Sequence, residues 1–226
     1  VRIHVFFVLY ILAECIRALT PDHAGLLFVV PLLLALFGLV LLHEYGHCLA
    51  CRRVGGEADE ILMWPLGGLA SCTPPHRWLA HFWTTAGGPL VNVALLLPLA
   101  GAAWWVTGDL GAVVFNPFNP GPVVGMISAG GNVEKFFRVF VWALHYSNMV
   151  LLAFNVLVPM YPMDGGRLLQ AVLWRKMGYR DSMRVSCVVG LGAAGVLAVF
   201  SIVFEQLTLL AIGLLGGIVC YAELQR

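Results

Sequence analysis

Five consecutive residues hold the densest chemistry in this 226-residue chain: His43, Glu44, Tyr45, Gly46 and His47. On an α-helix, positions i and i+4 share a face, one turn apart. Two imidazoles so placed can grip one metal ion, and a glutamate beside them can act on a water. Zinc suits imidazole, and its catalytic sites keep one coordination position open. Such an ion lowers the pKa of its water to about 7, which makes hydroxide available at neutral pH. The bland alternative is a pair of helical histidines making ordinary hydrogen bonds. The setting weighs against it. Leu39, Val40, Leu41 and Leu42 precede the motif, and Cys48, Leu49, Ala50 and Cys51 follow it. An ionisable side chain in hydrocarbon costs a few kcal/mol and is a functional hypothesis by default.

Two histidines and a water leave room for a third protein ligand. The candidates are His81, His145, the pair Cys48 and Cys51, and Asp164. The cysteines read as small apolar surface rather than ligands, since free Cys behaves as a small hydrophobe. His145 sits in the middle of an apolar run and reads as a packed, hydrogen-bonded residue rather than a ligand. Asp164 is the best candidate. It follows the extended stretch Pro159, Met160, Tyr161, Pro162, Met163 and precedes Gly165 and Gly166, which allow close backbone approach. Its competing role is a helix cap, a common job for Asp.

The elements that must position these groups are membrane helices. Hydrophobic residues make up 60% of the chain and charged ones 11%, against about 25% charged in soluble domains. Only lipid can cover that much apolar surface. A net charge of +1 gives no basic footprint for nucleic acid. The six cysteines are scattered through apolar stretches and do not read as a secreted disulfide framework. No cleavable signal peptide is expected.

A spanning helix needs about 20 mostly apolar residues. Six candidate segments result: 3–19, 24–51, 78–106, 136–158, 183–204 and 207–221. The last two imply a tight hairpin at Glu205 and Gln206. Between the second and third, Gly67 and Gly68 separate two apolar runs, 61–66 and 69–73, and predict a β-hairpin. Residues 107–135 are rich in Gly, Pro and Asn and read as a loop, and 164–176 as a short amphipathic helix. The expected fold is all-α and integral to the membrane, with about six transmembrane helices and a small membrane-associated sheet after the second. One domain, 1–226, is expected, with a catalytic core at about 24–177 and peripheral helices at 1–19 and 183–223.

Orientation follows from Lys and Arg. With a cytoplasmic N-terminus, ten of the 13 fall inside: Arg2, Arg52, Arg53, Arg77, Arg167, Arg175, Lys176, Arg180, Arg184 and Arg226. Arg17, Lys135 and Arg138 fall outside. This positive-inside bias predicts both termini in the cytoplasm. His43 then lies roughly 12 Å below the cytoplasmic end of its helix, eight residues before Cys51 at 1.5 Å each. The active site is thus expected in the cytoplasmic half of the bilayer.

Three stretches together resemble the site-2 proteases, the intramembrane zinc metalloproteases. They are His43 to His47, then Ala86, Gly87, Gly88, Pro89, Leu90, Val91 and Asn92, then Asn155 with Pro159 and Pro162 to Arg167. They occur in the family's order on the expected segments. The resemblance implies one zinc ion per chain, with His43, His47 and Asp164 as ligands and Glu44 as general base. It further implies substrate-positioning roles for Asn92 and Asn155, and a sheet near Gly67 and Gly68 whose edge could pair with an extended substrate. Asn155 stands nine residues before Asp164, one more than the family pattern. The form implied is compact, without a PDZ-like or C-terminal regulatory domain. The implied substrate is a single-pass membrane protein.

Two other classes share part of this signature. A non-haem iron enzyme also uses two His and one carboxylate, but has no evident use for Glu44. A non-catalytic membrane protein could retain the site, though its ligands and base are intact.

Overall fold

The structure, a computed structural model, describes residues 1–20, 25–64, 67–115, 121–127, 131–203 and 207–225. A two-residue strand β1 (Arg2–Ile3) and helix α1 (Val5–Arg17) open the chain. Helix α2 (Leu26–Arg53) leads into strands β2 (Glu57–Trp64) and β3 (Gly67–Thr73). Then come α3 (Trp78–Thr107), a 3₁₀ turn (Leu110–Ala112), α4 (Gly121–Ile127) and α5 (Asn132–Leu157). Helices α6 (Asp164–Met177), α7 (Tyr179–Val203) and α8 (Leu207–Leu224) complete it.

Four of these helices, α2, α3, α5 and α7, are long and apolar enough to cross a membrane. The first expected segment folds as α1, whose 13 residues extend about 20 Å, against a hydrocarbon core of about 30 Å. The Glu14–Arg17 ion pair, at 3.1 Å, occupies its last turn. Helix α8 is the other short one, with an apolar stretch at Leu209–Leu224. The expected hairpin at Glu205 and Gln206 lies outside the described residues.

The sheet after α2 exists, with longer strands than expected and a third member. Its order is β1-β2-β3, with β1 parallel to β2 in the register Arg2↔Leu62 and Ile3↔Met63. Gly67 and Gly68 open β3 rather than forming the turn, and residues 65–66 between the strands lie outside the described residues. The turn from α2 into β2 is a glycine C-cap. Gly55 adopts φ +86°, and the Gly56 amide donates to the Cys51 carbonyl at 2.9 Å. Only glycine enters that left-handed region cheaply, so the helix stops there and the chain reverses.

Residues 107–135 are not all loop. Asp109 accepts from the Gly111 amide at 2.6 Å to start the 3₁₀ turn. Helix α4 follows, with Pro122 in its first turn, where a missing N–H costs nothing. Its Val123 and Ile127, spaced i and i+4, bury against Val139 and Trp142 of α5. Glycine and proline content concealed that apolar pair.

The chain divides into two compact units. One comprises Val1–Tyr45, Glu60–Ala70 and Leu90–Leu152. Its aromatic core stacks Trp142 on Tyr146, with ring centroids 5.1 Å apart, and Phe115 on Tyr146. The other comprises Gly46–Asp59, Ser71–Pro89 and Ala153–Arg226. Met160, Cys187, Ala194 and Cys220 form its core. Ser186 on α7 donates to the Gly166 carbonyl on α6 at 2.6 Å, which ties α6, and Asp164 at its start, to a long apolar helix.

Candidate metal centre

Each ring of the helical histidine pair is held through one nitrogen. His43 Nδ1 lies 2.6 Å from Asn92 Oδ1. His47 Nδ1 lies 2.9 Å from the Thr84 carbonyl oxygen. Both contacts are to acceptors, so both Nδ1 atoms carry the proton and donate. The Gly88 amide also faces His47 Nδ1, from 3.4 Å. The shorter carbonyl contact governs, because a carbonyl oxygen cannot donate. Protonation at Nδ1 leaves each Nε2 with a lone pair, the form in which imidazole binds a metal.

Asn92 is itself held. Its Nδ2 donates to Asn148 Oδ1 at 2.8 Å, and Asn148 Nδ2 donates back to the Asn92 carbonyl at 2.9 Å. Both side chains are fully buried. This reciprocal pair fixes which end of the Asn92 amide faces His43. An unfixed amide could turn its NH2 toward the ring and reverse the tautomer.

Asp164 opens α6 as its first residue. The residue capping α6 is Met163, which makes no side-chain cap bond. Asp164 thus stands one residue inside the helix rather than at the cap position. Its Oδ1 lies 3.4 Å from His47 Nε2, and its carboxyl is buried. The glycines after it explain how α6 can start there. A Cβ on Gly165 would lie 2.6 Å from the Val158 carbonyl oxygen, and one on Gly166 2.6 Å from Tyr161 N. Either methyl would push α6 away from the end of α5.

Ligand atoms of His43, His47 and Asp164 all lie within 4.8 Å of one another, and all three residues are buried. A donor set of two imidazole nitrogens and one carboxylate oxygen fits zinc in three-coordinate protein ligation with an open position. His81 and His145 stand apart from this group. His145 Nε2 bonds the Val113 carbonyl at 3.0 Å, and its ring packs near Phe115. The His81 ring lies 5.2 Å from that of Trp174. Cys48 and Cys51 lie in hydrogen-bonding reach of Cys72 on β3. Burial, then these neighbouring thiols, push the Cys72 thiol far up.

Glu44, on the same turn as the histidines, is 8% exposed. Its Oε2 accepts from the Ala70 amide of β3 at 3.0 Å. A Cβ on Gly68 would lie 2.9 Å from Glu44 Oε1, so a side chain there would displace the Glu44 carboxylate. Gly67 begins the same strand. Asn155 is half-buried near the end of α5, and its carbonyl faces Gly165. The sequence reading did not single out Asn148, the Thr84 carbonyl or the Ala70 amide. Asn148 carries a signal, being a polar side chain in an apolar helix. The other two are backbone groups, which every residue supplies.

Comparison with known proteins agrees with this geometry. Residues 31–199 match the model of peptidase family M50. A zinc metalloprotease of Methanocaldococcus jannaschii is 25% identical over 214 residues, 95% of this chain and 54% of that protein. Rip3 of Mycobacterium tuberculosis is 30% identical over 187 residues, 79% of this chain and 39% of its own length. The chain thus spans about half the length, or less, of these curated relatives. The solved site-2 protease of M. jannaschii shares the fold, with a TM-score of 0.68 at 23% identity, covering 98% of this chain and 89% of that one. With three quarters of its length matched by the family model, this chain belongs to peptidase family M50, the site-2 protease family.

Proposed function

We propose that this chain is an intramembrane zinc metalloprotease that hydrolyses peptide bonds within or near the transmembrane segments of membrane-anchored proteins. The observation that carries this is the buried group of His43, His47 and Asp164, ligand atoms within 4.8 Å, in a chain with four candidate spans. One zinc ion, held by these three residues, supplies Lewis acidity that polarises a peptide carbonyl and activates water at neutral pH.

The protein groups do the rest. Asn92 and the Thr84 carbonyl hold the two imidazoles with Nε2 turned to the site. Glu44 accepts the proton of the attacking water and delivers it to the leaving amine. A helical substrate hides its carbonyls and must be opened first. The edge of β3 suits that task, since among the described residues the sheet order leaves β3 unpaired on one side. The Ala70 amide donates to Glu44. An extended substrate that pairs there takes over this amide by strand addition, and frees the Glu44 carboxylate for its proton transfer. Gly68 lets the strand approach Glu44, and Gly67 and Asn155 are assigned substrate-positioning roles beside it. The positive-inside distribution supports cytoplasmic termini and a site in the cytoplasmic half of the bilayer, and family membership supports single-pass membrane-protein substrates.

The test is cleavage of a model single-pass substrate in liposomes. Wild type should cut. Glu44→Gln should retain zinc and lose at least 10²-fold in rate, the usual contribution of a positioned base, and a zinc chelator should abolish cleavage. Cleavage by Glu44→Gln at the wild-type rate would remove Glu44 from the mechanism. Iron rather than zinc in the purified protein would sink the hydrolase reading.

A further inference from the structure

A cavity of about 700 Å³, lined by none of the candidate metal ligands, opens among residues of three helices of the second unit. Arg53 and Val54 line it from the end of α2, His76 and Arg77 from the turn before α3, Trp78 to Ala80 and Trp83 from α3, and Trp174 from α6. No carboxylate is among these residues. Arg53 makes no hydrogen bond or ion pair among the described residues, whereas its neighbour Arg52 donates to the Ala58 carbonyl at 2.6 Å. Arg77 has one weak bond, to the Val54 carbonyl at 3.5 Å. Two guanidinium groups therefore face one cavity with most of their N–H donors unspent. The N-terminal end of α3 adds its positive dipole to the same place.

The other side of the cavity is apolar. Leu79 is 48% exposed and Trp83 47% exposed. The cavity also lies at the ends of two candidate membrane spans, α2 ending at Arg53 and α3 starting at Trp78. Tryptophan and arginine at that level are characteristic of the lipid headgroup layer. An occupant that matches both sides is an amphiphile with an anionic oxygen-rich head.

We propose that this cavity binds the phosphate of an anionic phospholipid, with Arg53 and Arg77 as the phosphate ligands and Leu79 and Trp83 against the glycerol and upper acyl chain. Guanidinium suits the role because its planar fork bonds phosphate in a bidentate manner. Phosphatidylglycerol satisfies the site, while phosphatidylcholine brings a bulky cation beside the arginines. Occupancy would reach the metal centre through three helices. Arg53 is on the helix of His47, Trp83 precedes the Thr84 whose carbonyl holds His47, and Trp174 is on the helix of Asp164.

The experiment is native mass spectrometry of the full chain released from mixed micelles of phosphatidylglycerol and phosphatidylcholine. Wild type should retain one phosphatidylglycerol in preference to phosphatidylcholine. R53Q/R77Q should bind it on the order of tenfold more weakly. R17Q/R138Q, which loses the same charge elsewhere, should bind as wild type does. Equal retention by R53Q/R77Q and wild type, or equal loss in both double variants, overturns the site. Inorganic phosphate at millimolar concentration should leave the lipid bound. Its full displacement of phosphatidylglycerol would make this a small-anion site instead and overturn the lipid assignment. If R53Q/R77Q fails to fold, the wild-type chain carries the test. Phosphatidylglycerol brominated near the head of its acyl chains should quench tryptophan fluorescence more than phosphatidylcholine brominated alike, and equal quenching overturns the proposal.

Discussion

At Asn92 one hydrogen bond decides how a candidate metal ligand is presented. Its Oδ1 accepts from His43 at 2.6 Å, and Asn148 prevents the amide from turning. Groups that orient a metal-binding His typically contribute 10- to 100-fold in metal affinity. Asn92→Ala should therefore weaken zinc binding by that factor in a competitive chelator titration, with helical content unchanged. Unaltered affinity would mean that His43 needs no orienting partner. Asp164→Asn tests a ligand of the same shape without charge. It should lose zinc on dialysis, whereas His145→Ala should keep it, since His145 is spent on the Val113 carbonyl.

Contacts between elements are set by glycines. A Cβ on Gly87 would lie 2.6 Å from Ala50 Cβ, so α3 can lie close to α2 only without a side chain there. That approach brings the Thr84 carbonyl to His47. Gly87→Leu should separate the helices and lower both zinc retention and thermal stability. Gly68→Ala should act differently. The three nearest neighbours of its methyl would all be atoms of the Glu44 side chain. Zinc should stay bound while the cleavage rate falls by about 10² or more. Loss of zinc in Gly68→Ala would show that β3 supports the metal and not the base. The Ser186 bond to Gly166 is a smaller matter. Interhelical hydrogen bonds in membranes average about 0.6 kcal/mol, so Ser186→Ala should lower stability by that order in a denaturant titration.

For the whole molecule, the metal is expected to be part of the folding free energy. Its three candidate ligands come from α2 and α6, more than 100 residues apart in sequence. An ion that binds only the folded state stabilises it by about 4 kcal/mol when present at about 1,000 times its dissociation constant. A chelator should therefore lower the melting temperature of wild type in detergent. It should leave a His43→Ala/His47→Ala variant unmoved. An equal shift in both would mean that the chelator acts on something other than this site.

Much of this protein was legible in its residues. Spacing alone brings His43 and His47 to one helical face, because a helix repeats every 3.6 residues whatever surrounds it. Composition alone demands a membrane, because no soluble core could bury that apolar surface. Helices α2, α3, α5 and α7 follow from the length of their apolar runs. The four-residue spacing of Val123 and Ile127 was there too, hidden by glycine and proline. Other features belong to tertiary structure, because they rest on contacts between residues distant in the chain or on backbone groups that carry no sequence signature. The gathering of Asp164 with His43 and His47 is one such feature, since it depends on where α6 begins in space. So are the parallel pairing of β1 with β2, the bond from Ala70 to Glu44, and the Asn92–Asn148 pair that fixes His43.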